Sequence, residues 1–161
     1  MLDNYVDINV NQPMSTAVAP PLEFTHRVRD DCVCLHVQRA ARALARRFDE
    51  AFRPLGLTQG QFSLLIALNR AEPPTMGDVA KLLAMDRTTL TANLKPLEGR
   101  DLIRIAIDKR DRRGRRLSLT DKGKAVLGAA APIWTRTHVE TEKLLNAIAV
   151  GDLRAGLRAL S

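Results

Sequence analysis

Aromatic residues are scarce in this chain of 161 residues, where they make up 4% of the sequence. Alanine and leucine are the dominant apolar residues instead, which favours helices over a large sheet. No apolar run approaches the roughly 20 residues that a helix needs to cross a bilayer. The first residues also lack the basic and apolar segments of a secretory signal. We therefore expect a cytoplasmic protein that does not contact membranes.

Cysteine is nearly absent as well, since the chain has two cysteines, Cys32 and Cys34. Two thiols so close in sequence do not form a disulfide easily and are too few for a metal site, so we expect both to be reduced. The sequence also lacks glycine-rich phosphate-binding motifs, H-E-x-x-H and C-x-x-C. Its histidines, His26, His36 and His138, are widely separated. We therefore expect neither enzymatic activity nor a cofactor.

Positive charge is concentrated in one segment of the chain. The whole sequence has 25 Lys and Arg against 18 Asp and Glu, which gives a net charge of +7. Residues 86–116 contain ten of the basic and five of the acidic residues, a local net charge of +5, whereas residues 1–85 contain nine of each. A local excess of this kind is typical of a surface that binds phosphates. The alternative is a charged loop that is merely solvated.

The pattern of apolar residues divides the chain into an arm, two outer helical segments and a central domain. Residues 1–25 contain three of the eight prolines and no periodicity, which predicts an arm. Within residues 26–54, apolar residues recur every three or four positions from about Arg29 and predict one long helix. Residues 121–161 predict a second helical region, in which Gly151 separates a short last helix.

The central segment, residues 55–120, predicts three helices followed by a hairpin. Thr58, Thr75 and Asp86 are of the types that cap helix N-termini, and an apolar stripe follows each of them. The last two of these helices fall within about 25 residues, which is the spacing of a helix-turn-helix. Alternating apolar residues then predict two short strands joined by a charged turn at 108–114. The predicted fold is mainly α with a small β-hairpin wing, a winged helix-turn-helix.

The helix that follows Asp86 has an apolar face with Leu90, Leu94 and Leu97. Its opposite face has short polar side chains, which suit the major groove of double-stranded DNA. In the charged turn, an aspartate could orient an arginine that enters the minor groove. Alternatively, the acidic residues merely neutralise a crowded loop. The candidate DNA-binding residues are Arg87, Thr88, Thr89, Thr91, Asn93, Lys95, Arg110, Asp111, Arg112, Arg113 and Arg115.

Three stretches of the sequence carry a likeness to a known family. They are L-T-Q-G-Q-F-S-L-L, M-G-D-V-A-K-L-L-A-M-D-R-T-T-L-T-A-N-L-K-P-L-E-G-R-D-L-I and D-R-R-G-R-R-L-S-L-T-D-K-G. These stretches resemble the MarR family of transcriptional regulators, and the resemblance extends from about residue 32 to 148. It implies a homodimer with interleaved N- and C-terminal helices. It also implies that Arg113 enters the minor groove and that Asp111, the other member of the family's D-x-R pair, orients it.

The outer helical segments point to a dimer independently of this resemblance. The apolar stripes in residues 26–54 and 121–161 need more partner surface than a small domain at residues 55–120 offers. Pairing of two chains across a twofold axis would bury these stripes. Such a homodimer would bind a pseudo-palindromic operator with half-sites about 10 base pairs apart. We expect a repressor that leaves its operator in response to a small-molecule or redox signal.

Two sets of residues could receive such a signal. Cys34 resembles the reactive cysteine of the organic-hydroperoxide-sensing branch of the family. That branch has tyrosines where this chain has Gln38 and Phe48, however, which favours an inert thiol. The candidates for binding a small aromatic or anionic effector are His36, Arg46 and Trp134. The simpler alternative is that the tryptophan belongs to the core and that the arginine is solvated or paired.

Two other functions are compatible with the sequence. A thiol-dependent peroxide-sensing protein would act through Cys34, and its turnover of hydroperoxide would be lost in Cys34→Ser. A sequence-tolerant architectural DNA binder would have nearly equal affinity for all DNA sequences.

Overall fold

The computed structural model describes residues 19–108, 111–146 and 148–160. The elements in these residues are α1 (Leu22–Asp31), α2 (Val33–Phe52), a 3₁₀-helix (Arg53–Leu55), α3 (Gln59–Leu68), α4 (Met76–Leu82), α5 (Arg87–Gly99), β1 (Ile103–Ile107), β2 (Arg115–Leu119), α6 (Asp121–Lys143) and α7 (Val150–Ala159). The strands form a two-stranded antiparallel sheet, so the predicted mainly α class with a small hairpin is confirmed. None of the helices in the described ranges is long and apolar enough to span a bilayer.

The chain divides into two compact units, Met1–Ala40 and Ala41–Ser161, and the boundary lies inside α2. In the first unit, α1 begins at Leu22, so residues 22–25 of the predicted arm are helical, while residues 1–18 lie outside the described residues. The long helix begins at Val33 and not near Arg29. The reason is that the backbone is extended at Cys32, with φ −72° and ψ 105°, which separates α1 from α2.

In the second unit, the predicted capping residues begin their helices. Thr58 and Thr75 each form a capping box with the third residue of the helix. Asp86 Oδ1 accepts the backbone N–H of Thr89 at 2.8 Å, and Thr120 caps α6 in a similar way. Each of these bonds satisfies a backbone donor that the first turn of a helix leaves free. The starts of α3, α4 and α5 are therefore explained by residues within the same turn.

The core of the second unit forms around the apolar face of α5. Leu90, Leu94 and Leu97 are at most 1% exposed, as the stripe in the sequence predicts. The helix continues through Pro96, which lies on its exposed face. Residues from α2, α3, the wing, α6 and the link between α5 and β1 complete this cluster, among them Phe52, Leu64, Leu65, Leu102, Ile103, Leu117 and Leu127. The buried leucines fix which face of α5 is turned to solvent.

The hairpin, hereafter the wing, consists of β1, β2 and the turn between them. Its register pairs Ile103 with Leu119 at one end and Ile107 with Arg115 at the other. The backbone N–H of Leu117 also donates to Pro74 O at 3.0 Å, outside the hairpin. The wing is therefore attached to the segment that precedes α4.

The C-terminal helices are separated at a different place from the one predicted. α6 ends at Lys143, and Gly151 lies inside α7, so the prediction that Gly151 separates the last helix is wrong. Asn146 between the helices has a positive φ of 45°. Asparagine tolerates this left-handed conformation better than most residues, and the conformation does not continue a helix.

Candidate nucleic-acid interface

The solvent-facing side of α5 contains the predicted DNA-binding residues of that helix. Arg87, Thr88, Thr89, Thr91, Asn93 and Lys95 are all exposed. Two of the three threonine hydroxyls are already engaged, because Thr89 Oγ1 donates to Asp86 Oδ2 at 2.6 Å and Thr91 Oγ1 donates to Arg87 O at 2.7 Å. Both oxygens still have lone pairs to accept a hydrogen bond, and both methyl groups can contact a base. The face thus presents acceptors, methyl groups and the Asn93 amide.

The Asp86 carboxylate supports this face by capping α5. Hydrogen bonds from the Thr89 hydroxyl and, second, from the Thr89 backbone N–H hold the pKa of Asp86 below its ordinary value of 3.8. Both donors favour the ionised form of the carboxyl group.

We expect this cap to make stability depend on pH at the acid end. Because the folded-state pKa is lowered, the contribution is complete above the pKa of the unfolded chain and is lost as the pH falls through the folded pKa. Titration of the Asp86 carboxyl carbon by NMR should give a midpoint below 3.8. Asp86→Asn should keep a cap but remove this part of the pH dependence of unfolding. A midpoint at or above the ordinary value would contradict the capping account.

The turn of the wing contains the second set of predicted residues. Asp111, Arg112, Arg113 and Arg115 are exposed, whereas Arg110 lies outside the described residues. Asp111 Oδ1 accepts the backbone N–H of Arg113 at 2.9 Å. The described contact of Asp111 is therefore with the main chain of Arg113. This hydrogen bond stabilises the turn beneath Arg113 and does not involve its guanidinium.

Arg113 and Arg115 differ in how their side chains are held. Arg115 Nη1 donates to Gly114 O at 3.0 Å and to Arg112 O at 3.3 Å, so its guanidinium is folded back onto the turn. No side-chain hydrogen bond engages the guanidinium of Arg113 within the described ranges. Of these two arginines, Arg113 is therefore the better placed to bind an external acceptor.

The wing and α5 line a common groove, with a volume of about 460 Å³. Arg87 and Thr91 line it from α5, and Asp111 and Arg113 line it from the turn. The structure thus brings together residues that are at least 20 positions apart in the sequence. The arginines of this groove, beside the exposed face of α5, are suited to the phosphate backbone of a nucleic acid.

The residues predicted for effector and redox roles occupy other places. In the first unit, His36 Nε2 lies 2.9 Å from Asp30 O, and Cys34 is exposed. The Gln38 amide donates to Cys34 Sγ at 3.3 Å, so a glutamine supplies a hydrogen bond where the peroxide-sensing branch has a tyrosine. These contacts are local to α1 and α2.

In the second unit, Trp134 lines an apolar cavity of about 680 Å³ between α3, α4 and α6. Its ring stacks on His138 with the centroids 4.6 Å apart, and 38% of the residue is exposed, so it is not a core residue. Phe62, Ile66 and Leu83 also line this cavity, whereas Arg46, the other predicted effector residue of the second unit, is not among the described residues that line it.

Comparison with known proteins identifies the family. The sequence model of the MarR family matches residues 55–114, which comprise the helix-turn-helix and the turn of the wing. The structure of the transcriptional regulator MosR of M. tuberculosis in complex with DNA is similar, with 35% sequence identity and a TM-score of 0.71. The match covers 81% of this chain and 93% of MosR. The chain belongs to the MarR family.

Two curated relatives are similar to this MarR-family chain over a shorter stretch. The transcriptional regulator TtmR of Methylorubrum extorquens is 33% identical over 99 residues, and the transcriptional repressor NicR of Pseudomonas putida is 30% identical over 102 residues. The matches cover 62% and 63% of this chain, respectively. They cover 51% and 60% of the relatives, so this MarR-family chain spans less than two thirds of the curated proteins it matches.

One ion pair at the turn end of the wing was not predicted from the sequence. Arg116 Nε donates to Asp108 Oδ2 at 2.7 Å, and Asp108 is 7% exposed. In the sequence, both residues belong to one run of charged residues around the turn. The hairpin register could have identified them, because it places both beside the last pairs of the two strands.

Proposed function

We propose that this MarR-family chain is a sequence-specific DNA-binding regulator of transcription that represses its target genes. The observation that supports this most directly is the groove shared by α5 and the wing, where Arg87 and Thr91 face Asp111 and Arg113. The complex of MosR with DNA adds support, because that regulator is 35% identical to this chain. A protein that regulates transcription works at the chromosome, and we therefore place it in the cytoplasm.

In this proposal, the two elements read DNA in different ways. The exposed face of α5 enters the major groove, where Thr88, Thr89, Thr91 and Asn93 contact base edges. Arg113 enters the adjacent minor groove, whose negative potential is strongest where the groove is narrow and rich in A·T pairs. Phosphates are bound by Lys95 and by the other candidate arginines, Arg87, Arg110, Arg112 and Arg115. These contacts set the register of the protein on the duplex.

We also propose that the functional unit is a homodimer. Several large apolar side chains near the C-terminus are exposed in the single chain, including Leu144 at 60%, Ile148 at 55%, Leu157 at 43% and Leu160 at 67%. Exposed apolar surface of this extent is typical of a protein interface. A twofold dimer formed through the outer helices, with N- and C-terminal helices interleaved, would present two copies of α5. Their half-sites would be about 10 base pairs apart.

Footprinting on the DNA that flanks the gene tests this function. The proposal predicts a protected pseudo-palindrome whose protection weakens steeply as salt is raised. Protection of all sequences alike would favour an architectural DNA binder, and absence of any protection would overturn the proposal. Repeating the footprint with hydroperoxide and with aromatic acids distinguishes release through Cys34 from release through the cavity beside Trp134.

Asn93 and Lys95 of α5 are proposed to contact different parts of the DNA, a base edge and a phosphate, so their substitutions should have different effects. Asn93→Ala should change which bases are preferred and leave the salt dependence of binding nearly unchanged, because the amide contacts a base edge. Lys95→Ala should weaken binding to all sequences and reduce the salt slope by about 0.9 for each phosphate contact that is lost. Binding measured on a set of single-base variants at two salt concentrations checks both. Identical effects of the two substitutions would contradict the assignment.

A further inference from the structure

The turn end of the wing is fastened to the segment before α4 by the side chain of Arg116. Its Nε donates to Asp108 Oδ2 at 2.7 Å, and its Nη1 donates to Pro73 O at 2.9 Å. The Arg116 side chain is 32% exposed, and that of Asp108 is 9% exposed. A partly buried guanidinium that bonds a carboxylate and a carbonyl in fixed geometry loses most of its freedom to move.

Main-chain contacts join the same two segments as the Arg116 side chain does. The N–H of Leu117 donates to Pro74 O at 3.0 Å, and Thr75 and Arg116 form an isolated antiparallel bridge. Thr75 is also the N-cap of α4. Pro73, Pro74 and Thr75 therefore connect β2 to the start of α4.

This connection matters because a two-stranded hairpin has little stability by itself. The angle of the wing relative to α5 must come from contacts outside the hairpin. Asp108 and Arg116 flank the turn that contains Arg113, and Asp108 lines the groove shared with α5. A shift at this end of the hairpin would move Arg113 directly, because the ion pair lies next to the turn that contains it.

We propose that Asp108 and Arg116 are positioning residues for DNA binding. Their ion pair, with the bond from Arg116 to Pro73 O, holds the wing at the angle at which Arg113 reaches the minor groove while α5 occupies the major groove. Arg116 thus acts through the position of Arg113, although its charge alone would make it a phosphate contact. This role rests on the proposed function of DNA binding.

Asp108→Asn distinguishes the positioning role from a simple effect of charge. The two explanations predict opposite changes in the affinity for DNA. Removing a negative charge from a DNA-facing groove should strengthen binding if charge alone matters. Loosening the ion pair should weaken binding roughly tenfold, about the effect of losing one groove contact, with the salt slope unchanged. Asp121→Asn is the matched control, because this exposed acid on α6 is outside the wing, and it should leave affinity unchanged or slightly increased. The probe is a duplex enriched by the wild-type chain from a random-sequence library.

Two further measurements complete the experiment: DNA binding by a double variant, and hydrogen exchange at one backbone amide. In an Arg113→Ala background, Asp108→Asn should have almost no further effect, because the contact that it positions is already lost. Independently of DNA, hydrogen exchange at the Leu117 amide should be faster in Asp108→Asn than in the wild type. Equal or tighter binding by Asp108→Asn, or unchanged exchange at Leu117, overturns the positioning role. If the wild-type chain enriches no sequence, the proposed function itself fails, while exchange at Leu117 still reports whether the ion pair holds the wing.

Discussion

Gly123→Ala is expected to destabilise the protein by roughly 3 kcal/mol, because the added methyl group collides with backbone rather than with a movable side chain. A Cβ at Gly123 would lie 1.9 Å from Leu102 O and 2.9 Å from Leu102 C. The same carbonyl accepts the N–H of Thr120 at 3.1 Å, so it cannot move away without weakening the start of α6. Leu102 is fully buried, which leaves the chain little room to adjust.

Gly128→Ala is the matched control for this prediction. Gly128 lies in the same helix, and a Cβ there would have no atom within 4 Å. Alanine should therefore stabilise α6 by up to about 1 kcal/mol through its higher helix propensity. Urea unfolding of the two variants measures both free energies. Equal stabilities of the two variants would show that the close approach of α6 to Leu102 does not constrain the fold.

Arg113→Ala is expected to weaken binding to the enriched duplex by roughly 1 to 3 kcal/mol and to reduce the preference for A·T pairs beside each half-site. The exposed guanidinium at the tip of the wing is available to an external acceptor, while Asp111 holds the backbone beneath it. Arg115→Ala is the matched control. Its guanidinium already donates to Gly114 O and Arg112 O, so its removal should cost less affinity.

Binding of the two arginine variants should be measured on duplexes whose flanks are A·T-rich or G·C-rich. The wild-type chain should favour the A·T-rich flanks, and Arg113→Ala should bind both with similar affinity. If Arg115→Ala loses this preference and Arg113→Ala keeps it, the assignment of the groove-inserting arginine is wrong. If neither loses it, the wing does not read the minor groove.

The features that could be predicted from the sequence are those that depend on near neighbours. Thr58, Thr75 and Asp86 cap helices through bonds to residues in the first turn, so their effect is local. The leucine stripe of α5 sets its buried face because a helix repeats every 3.6 residues. For the same reason, the sequence placed the polar candidates of this helix on one exposed face.

The features that the sequence did not reveal depend on distant or main-chain contacts. The break at Cys32 lies in a stretch whose side chains suit a helix, and its backbone conformation has no sequence signal that we recognise. The bond from Arg116 to Pro73 O joins residues 43 positions apart. Asp111 contacts a backbone N–H, whereas a side-chain partner was the natural inference from a D-x-R pair. Each of these features is a property of the folded chain.

Selection of bound duplexes from a random-sequence library tests the central claim most directly. If this MarR-family chain is a dimeric, sequence-specific DNA-binding regulator, the enriched sequences should contain a pseudo-palindrome with half-sites about 10 base pairs apart. The chain should bind this duplex at least about 1,000-fold more tightly than the starting library at physiological salt. Enrichment of no sequence, or equal affinity for the selected duplex and the library, would contradict the account.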